Sequence, residues 1–503
     1  MVTIESKTTL NRGVSILLVL CFCAALIYTL WTATVGWNTP IMQEHSFRQT
    51  QTAFSAYYIA KGGPILKYET PVLGPPWSIP FEFPFYQVIV AEVYKITGIS
   101  LESAGRGVAK FFFYLTLIPL FLLGRQYGLR GAALLVAPTL FLLSPLYLFW
   151  SRQVMIESTA TFFGLAYLSA VYSWEAERSY SLLAMALLMG IIAALVKSTS
   201  YACYALVIGL FLCHVTWHGK RWDKRWLLAC AAILALPLLV GIAWAKFSDA
   251  QKMLNPLAGF ITSAALTEWN FGTLAQRLSG SFWMKIFRQT IHDSIGHRAG
   301  WILSVALALA WGRKAALYWF FSLMFITAPL IFTNLHIIHN YYANANGIFL
   351  ILAVALLCVQ TMLSSKRWAQ ISGLVLFLAV SYYSVHEFMR QPYYQQQIVN
   401  RGPVDLGEKV AAIIPEEKVI MIYGFDWNSV VPYFARRRAI MARNVDWKSP
   451  ELAKSLELLK ADGREMGAVI YCDNSDKNPA LYPNPHVGKL LIDYMCHVYE
   501  WRN

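Results

Sequence analysis

Residues 218–244 read HGKRWDKRWLLACAAILALPLLVGIAW, and this stretch decides the fold class. Its first part carries Lys220, Arg221, Lys224 and Arg225, and the run from Trp226 to Trp244 carries no charge at all. An apolar run of about 20 residues spans the hydrocarbon of a bilayer as a helix. The same alternation recurs along the chain: GRQYGLRG, WGRKAA and SSKRW are further basic loops that follow or precede long apolar runs. Short loops rich in Lys and Arg stay on the cytoplasmic side of a membrane. The chain is therefore expected to be a polytopic α-helical membrane protein.

Composition agrees. Of 503 residues, 57% are hydrophobic and 14% charged, against about 25% charged in a soluble globular domain. Mean hydropathy is +0.45. The formal charge of +14 does not point to nucleic acid, because much of the basic excess sits in those short loops. The first apolar run, about Val14 to Val35, follows Lys7 and Arg12. It is longer than the apolar core of a signal peptide and lacks a small-residue cleavage site, so it reads as a retained helix. Cys21, Cys23, Cys203, Cys213, Cys230 and Cys358 lie within apolar runs and serve there as small hydrophobes. Cys472 and Cys496 lie in a polar region, where a disulfide and two free thiols are both open readings.

Fixing the basic loops inside gives about eleven spans, with the N-terminus cytoplasmic and the C-terminus on the opposite, outer side. Residues 36–104 then form one long outer loop. Within it, TAFSAYYIAKG has helical spacing and stops at Gly62-Gly63, and FPFYQVIVAEVYKITG reads as an amphipathic juxtamembrane helix. The proline-rich PVLGPPWSIPFEFP joins them and cannot be helical throughout. A second long outer loop is expected over 246–296. From about residue 390 the pattern changes. KVIMIYG, GAVIYC and HVYEW read as strands, and SPELAKSLELLKADG as a helix capped by Ser449 and ended by Gly463. The expected division is a membrane domain over 1–389 and a small soluble α/β domain over 390–503.

The polar residues gather at one set of helix ends. Glu44, His45 and Arg48 follow the first span, Arg152 and Glu157 the third, and Lys197 the fifth. His292, Asp293, His297 and Arg298 precede the eighth, and His336, His339, Asn340, Tyr341 and Tyr342 follow the ninth. Each has a plain alternative. Glu44 alone reads as a solvated carboxylate, with Arg48 as its ion partner. Arg152 and Glu157 read as an interfacial ion pair, and Lys197 as a snorkelling side chain. His336 and His339 have metal-ligand spacing but no nearby acidic partner. Taken together, carboxylates and cations on one side of a membrane suit an anionic amphiphile. A lipid phosphate–sugar needs Lys or Arg for its phosphate and a base for the acceptor. Cations that stabilise the leaving phosphate remove the need for a general acid or a metal.

With these segments in view, RQTQTA (48–53), WSRQVMIES (150–158), LVKS (195–198) and HNYY (339–342), the chain resembles bacterial GT-C type membrane glycosyltransferases. That group includes the protein O-mannosyltransferases and the aminoarabinose transferases of lipid A, and the chain is glycosyltransferase family 39-like. The resemblance implies an inverting glycosyltransferase of the bacterial inner membrane with its C-terminal domain in the periplasm. It would use a polyprenyl phosphate–sugar donor and a cell-envelope acceptor such as lipopolysaccharide, O-antigen or lipid A. It assigns catalysis to Glu44, which stands with Gln43 where the family has an acidic pair, and to Glu157. Lys197, His339 and Tyr341 match donor-binding positions; Arg48 and Arg298 are added for phosphate or sugar, and His45 and Arg152 for acceptor or base support. No cofactor is required, and a divalent metal is the less favoured reading. Asp426, Trp427 and Arg436–Arg438 have two readings, contact with acceptor or phosphate and plain surface, of which surface is favoured. The competing readings are a ligase or polymerase using a diphosphate-linked oligosaccharide, a lipid or sugar transporter, and a sensor or scaffold indifferent to the loss of Glu44.

Overall fold

The computed structural model describes residues 10–443, 447–472 and 484–502; Lys7 lies outside them. The chain is a polytopic α-helical membrane protein. Among the described residues, six helical stretches are long and apolar enough to cross a membrane: Arg12–Thr34, Leu101–Gln126, Ser198–His218, Lys224–Lys252, Arg298–Ile331 and Arg367–Gln395. The shorter apolar helices Gly131–Leu143, Tyr180–Val196 and Gly347–Met362 accompany them, as does the 21-residue helix Glu157–Glu177. Leu20, Ile27 and Leu239 are 60%, 68% and 61% exposed. Apolar surface of this kind, repeated along whole helices, suits lipid and not water.

Packing gathers the chain into two compact units. One holds Met1–Trp37, Ala109–Ile242 and Thr267–Gln397; the other holds Asn38–Val108, Ala243–Leu266 and Ile398–Asn503. Composition alone suggests a single cut at 389/390. The first long loop and the C-terminal residues share the second unit.

In the first unit the helix Gly347–Met362 is buried along nearly its whole length, and Glu157–Glu177 is almost as enclosed. The helices Glu157–Glu177 and Ser198–His218 meet where Gly164 faces Tyr204: a Cβ on Gly164 would lie only 2.3 Å from the tyrosine ring. Further along, Tyr172 stacks on Phe211 at 3.9 Å between centroids. The region expected to be an outer loop over 246–296 is largely helical. Helix Lys224–Lys252 runs on past the apolar stretch, and Gly280–Ile295 is an amphipathic helix capped by Ser279. The charged residues of this region masked a pattern that helix capping and spacing support.

The second unit contains the two helices read from the first long loop, Ser46–Ala60 and Phe85–Thr97, and a five-stranded sheet. Its strands are β1 (Val419–Tyr423), β2 (Ala439–Met441), β3 (Met466–Tyr471), β4 (Val487–Asp493) and β5 (His497–Trp501), in the order β2-β1-β3-β5-β4. Strand β1 runs parallel to β2 and β3, while β5 is antiparallel to β3 and β4. β1 is apolar and buried throughout, as a strand covered on both faces must be. The helix Pro450–Ala461 begins where Ser449 accepts from the Leu452 amide at 3.2 Å. It ends before Gly463, whose φ of +68° a glycine adopts without strain. Strand β4 and the helix Arg401–Ile413 were not legible in the pattern.

The proline-rich stretch of the first loop lies along β2. The amides of Ala439 and Met441 donate to the Pro71 and Val72 carbonyls, each at 2.9 Å, and the Gly74 amide donates back to Ala439 at 3.0 Å. The buried Asn255 side chain holds the same stretch, its Nδ2 within 3.2 Å of the Leu73, Gly74 and Pro76 carbonyls.

Cys472 and Cys496 form a disulfide across a sequence separation of 24, tying the end of β3 to the start of β5. Closing a loop of this size restricts the unfolded chain. The Cys472→Ser, Cys496→Ser double variant is expected to lose about 3 kcal/mol of stability. Thermal denaturation with and without reductant checks this: reductant should lower the wild-type midpoint and leave the variant's unchanged.

Candidate active site

In the first unit the site begins with two helix ends. Glu157 is the first residue of the helix Glu157–Glu177, and Lys197 directly follows the helix Tyr180–Val196. These helices pack on one another. A carboxylate suits a helix N-terminus and a cation a helix C-terminus. Lys197 is a single extended residue, φ −159°, between two helices. Its carbonyl accepts from the amides of Ser200 and Tyr201, and this break turns its side chain inward.

The ammonium of Lys197 reaches both carboxylate oxygens of Glu157 at 2.5 Å. Both residues are buried, 4% and 1% exposed, so Lys197 is not a snorkelling side chain. The pair sits under an aromatic wall. Lys197 Nζ lies 4.4 Å from the centre of the Tyr342 ring and 5.2 Å from that of Tyr341. His339 stacks on Tyr341 at 5.2 Å, and Trp150 meets Tyr341 edge-on. Tyr341 and Tyr342 lie on a short 3-10 segment, Asn340–Ala345, between two helices. The Asn344 side chain donates to the Tyr341 carbonyl at 2.8 Å, and Tyr147 donates to the Asn344 carbonyl at 2.8 Å. The segment is thus fixed by hydrogen bonds where the helix pattern fails. Arg152, also buried, donates to Gln396 at 2.7 Å and to the Gly36 carbonyl at 2.8 Å.

His336 is buried beside this group. Burial, and then the charge of Lys197, push its pKa down to about 3. The folded protein therefore holds this imidazole neutral, while the unfolded chain binds a proton below the ordinary value of 6.5. Stability is complete above that pH and falls by about 1.4 kcal/mol per unit as the pH drops through the window toward 3. His336→Asn is expected to flatten this dependence. Thermal midpoints of both proteins between pH 7 and roughly 4.5 check it; parallel curves would place the acid sensitivity elsewhere.

Arg298 belongs to a different group. It is exposed at the start of the helix Arg298–Trp311, near His292, which pairs with Glu387 at 3.2 Å. Burial, followed by His297, Arg390 and Arg298, lowers the His292 pKa against the pull of Glu387.

In the second unit Glu44, His45 and Arg48 stand at the head of the helix Ser46–Ala60. His45 adopts φ +54°, and its carbonyl accepts from the amides of Arg48 and Gln49. The Gln49 side chain donates to the Glu44 carbonyl at 2.9 Å, so the turn that carries Glu44 is tied down from within the helix. Arg48 pairs with Glu82 at 2.5 Å and donates to Gln51 at 2.5 Å. Its guanidinium and the Lys252 ammonium both lie over the Phe81 ring, at 5.4 and 5.0 Å. Sequence reasoning missed Glu82, because a carboxylate inside a proline-rich linker has no periodicity to reveal its partner. Among Asp426, Trp427 and Arg436–Arg438, all three arginines are engaged: Arg436 lies over the Tyr433 ring, Arg437 is buried against the Ile414 carbonyl and Arg438 grips Glu69.

Among the described residues, no three His, Cys, Asp or Glu side chains gather as a metal-ligand group.

The helical arrangement and the C-terminal sheet make up a membrane-protein fold that is shared with solved structures. Solved structures that share it include ArnT from Cupriavidus metallidurans bound to undecaprenyl phosphate. That match has a TM-score of 0.55 and 12% identity over 94% of this chain and 97% of that one. The apo state of the same protein matches at 0.51, with 12% identity over the same shares. The Archaeoglobus fulgidus oligosaccharyltransferase in complex with zinc and sulfate matches at 0.51 and 13% identity, over 90% of this chain and 67% of that one. By sequence, no family profile and no curated protein matches the chain. At these identities the likeness is one of fold.

Proposed function

We propose that the protein is a glycosyltransferase that moves a sugar from a polyprenyl phosphate carrier to an acceptor of the cell envelope. One observation carries the reading: within this fold, a buried lysine, held by a buried carboxylate and roofed by two tyrosines, stands at helix ends. A buried cation of this kind is a costly feature that function explains better than stability. ArnT, which shares the fold, is known bound to undecaprenyl phosphate.

In this mechanism the carrier phosphate meets Lys197. An ammonium has three donors; Glu157 takes two and keeps the side chain in place, and the phosphate takes the third. Glu44 accepts the proton of the acceptor hydroxyl. The acceptor oxygen bonds to the anomeric carbon as the bond from that carbon to the phosphate oxygen breaks. The electron pair stays on the carrier phosphate, where cations stabilise it. Configuration inverts in this single displacement. Arg48, held by Glu82, supports charge near Glu44. Tyr341 and His339 shape the donor side, and His45 and Arg152 support the acceptor or the base. Arg298 stands in another group, at the start of the helix Arg298–Trp311. No metal is assigned, since cations of the chain fill that role.

The membrane is the bacterial inner membrane, with the N-terminus cytoplasmic and the sheet-bearing part periplasmic; the basic loops support this orientation. Lipopolysaccharide, its O-antigen or its lipid A is the acceptor. The test incubates the purified protein with radiolabelled polyprenyl phosphate sugars and envelope extracts. Transfer of one sugar to a glycan or lipid is expected. A folded protein that uses no donor in a broad panel overturns the reading.

A further inference from the structure

A pocket of about 510 Å³ lies within the second unit, between the end of the helix Ser46–Ala60 and the sheet. Its size is that of a small-molecule site, but its lining is not apolar. Lys61, Arg438 and Arg464 face Glu69, Glu416 and Glu417. Three cations oppose three carboxylates, so the pocket has no net charge.

Five of these six charges are also paired. Arg438 donates to Glu69 through two nitrogens at 2.7 and 3.0 Å. Lys61 pairs with Glu416, which also accepts from Tyr57 at 3.1 Å. These contacts lower the Glu416 pKa, the Lys61 hydrogen bond most of all. Arg464 donates to Asp462 at 3.0 Å. A lining neutralised in this way has little attraction for a free anion. It still presents N–H donors beside carboxylate acceptors, the arrangement that satisfies a hydroxyl, which donates and accepts at once. The Arg438 guanidinium lies over the Tyr58 ring at 4.3 Å, giving the pocket a face as well as an edge. At Gly62, φ +90°, nothing lies within 4 Å of the missing Cβ, which leaves the backbone open to a ligand.

We propose that this pocket binds a neutral saccharide and is the distal subsite for a glycan acceptor. The second part rests on the function proposed above. Glu44 and the pocket flank the same helix. Its 15 residues rise about 1.5 Å each, so the helix is roughly 22 Å long. A glycan that reaches from one end to the other must contain several sugar rings. The acceptor is then an oligosaccharide or polysaccharide chain, not a single sugar on a lipid.

Saturation-transfer NMR on the full-length protein in a non-glycosidic detergent tests binding without any donor. The probes are neutral oligosaccharides of glucose, galactose, mannose and rhamnose, with inorganic phosphate as competitor. Wild type should bind at least one oligosaccharide series, with longer chains bound more tightly, and phosphate should not displace it. Glu417→Trp fills the pocket from an exposed position and should weaken binding about tenfold or more, which is about 1.4 kcal/mol. Lys61→Gln, a milder change at the rim, should weaken it in the same direction. Displacement by phosphate, or no binding of any series by wild type, overturns the site. In transfer assays Glu417→Trp should raise KM for long glycan acceptors and spare those bearing one sugar. An equal effect on both, or none on either, overturns the acceptor role. If wild type transfers nothing, the proposed function fails while the binding result still judges the pocket.

Discussion

Glu44→Gln is expected to fold normally and to lose transfer by about a hundredfold to ten-thousandfold, the range that a positioned general base supplies. The substitution keeps the size of the side chain and removes its basicity. The turn around it is set by backbone bonds from Arg48 and Gln49 to His45 and by the Gln49 side chain, none of which needs the Glu44 carboxylate. Donor KM should stay within a small factor, and the loss should fall on kcat. The thermal midpoint, measured beside activity, separates chemistry from folding. Unchanged transfer would remove Glu44 from the base role. Glu157 would be a poor substitute, since Lys197 engages both of its oxygens, and Glu82 is committed to Arg48.

Lys197→Met should remove transfer and also destabilise the protein by about 3–5 kcal/mol, because it leaves a buried carboxylate without its counter-charge. A loss of that size confuses function with folding, so the double variant Lys197→Met, Glu157→Leu is the informative one. Replacing a buried ion pair by apolar residues is often close to neutral for stability. The double variant is expected to regain most of the lost thermal midpoint and to remain inactive. Recovered activity would mean that Lys197 serves only to neutralise Glu157, and its phosphate role would fall.

The membrane part was legible because its signals are local. An uncharged run such as Trp226 to Trp244 states its own helix, and the loops beside it carry the basic residues. Ser449 and Gly463 marked helix ends by side-chain and backbone chemistry that acts within a few residues. Glu157 and Lys197 were visible as polar residues at helix ends. Their mutual pairing was not, since it links positions 40 apart through the packing of two helices. Glu82 and the pocket around Arg438 were hidden for the same reason: their partners lie 34 and 369 positions away. Strand β4, VGKLLID, escaped because its alternating burial is irregular, with shifts in its register against β5.

The contact between residues 71–74 and strand β2 has an evolutionary side. An exposed strand edge invites pairing with other chains, and here an N-terminal segment occupies it. The sheet is therefore not a cassette that recombination can shuffle onto another membrane scaffold. A lineage that exchanged residues 398–503 would uncover that edge unless it also exchanged residues 38–108, which couples the two stretches despite the more than three hundred positions that separate Leu73 from Ile440 in the chain.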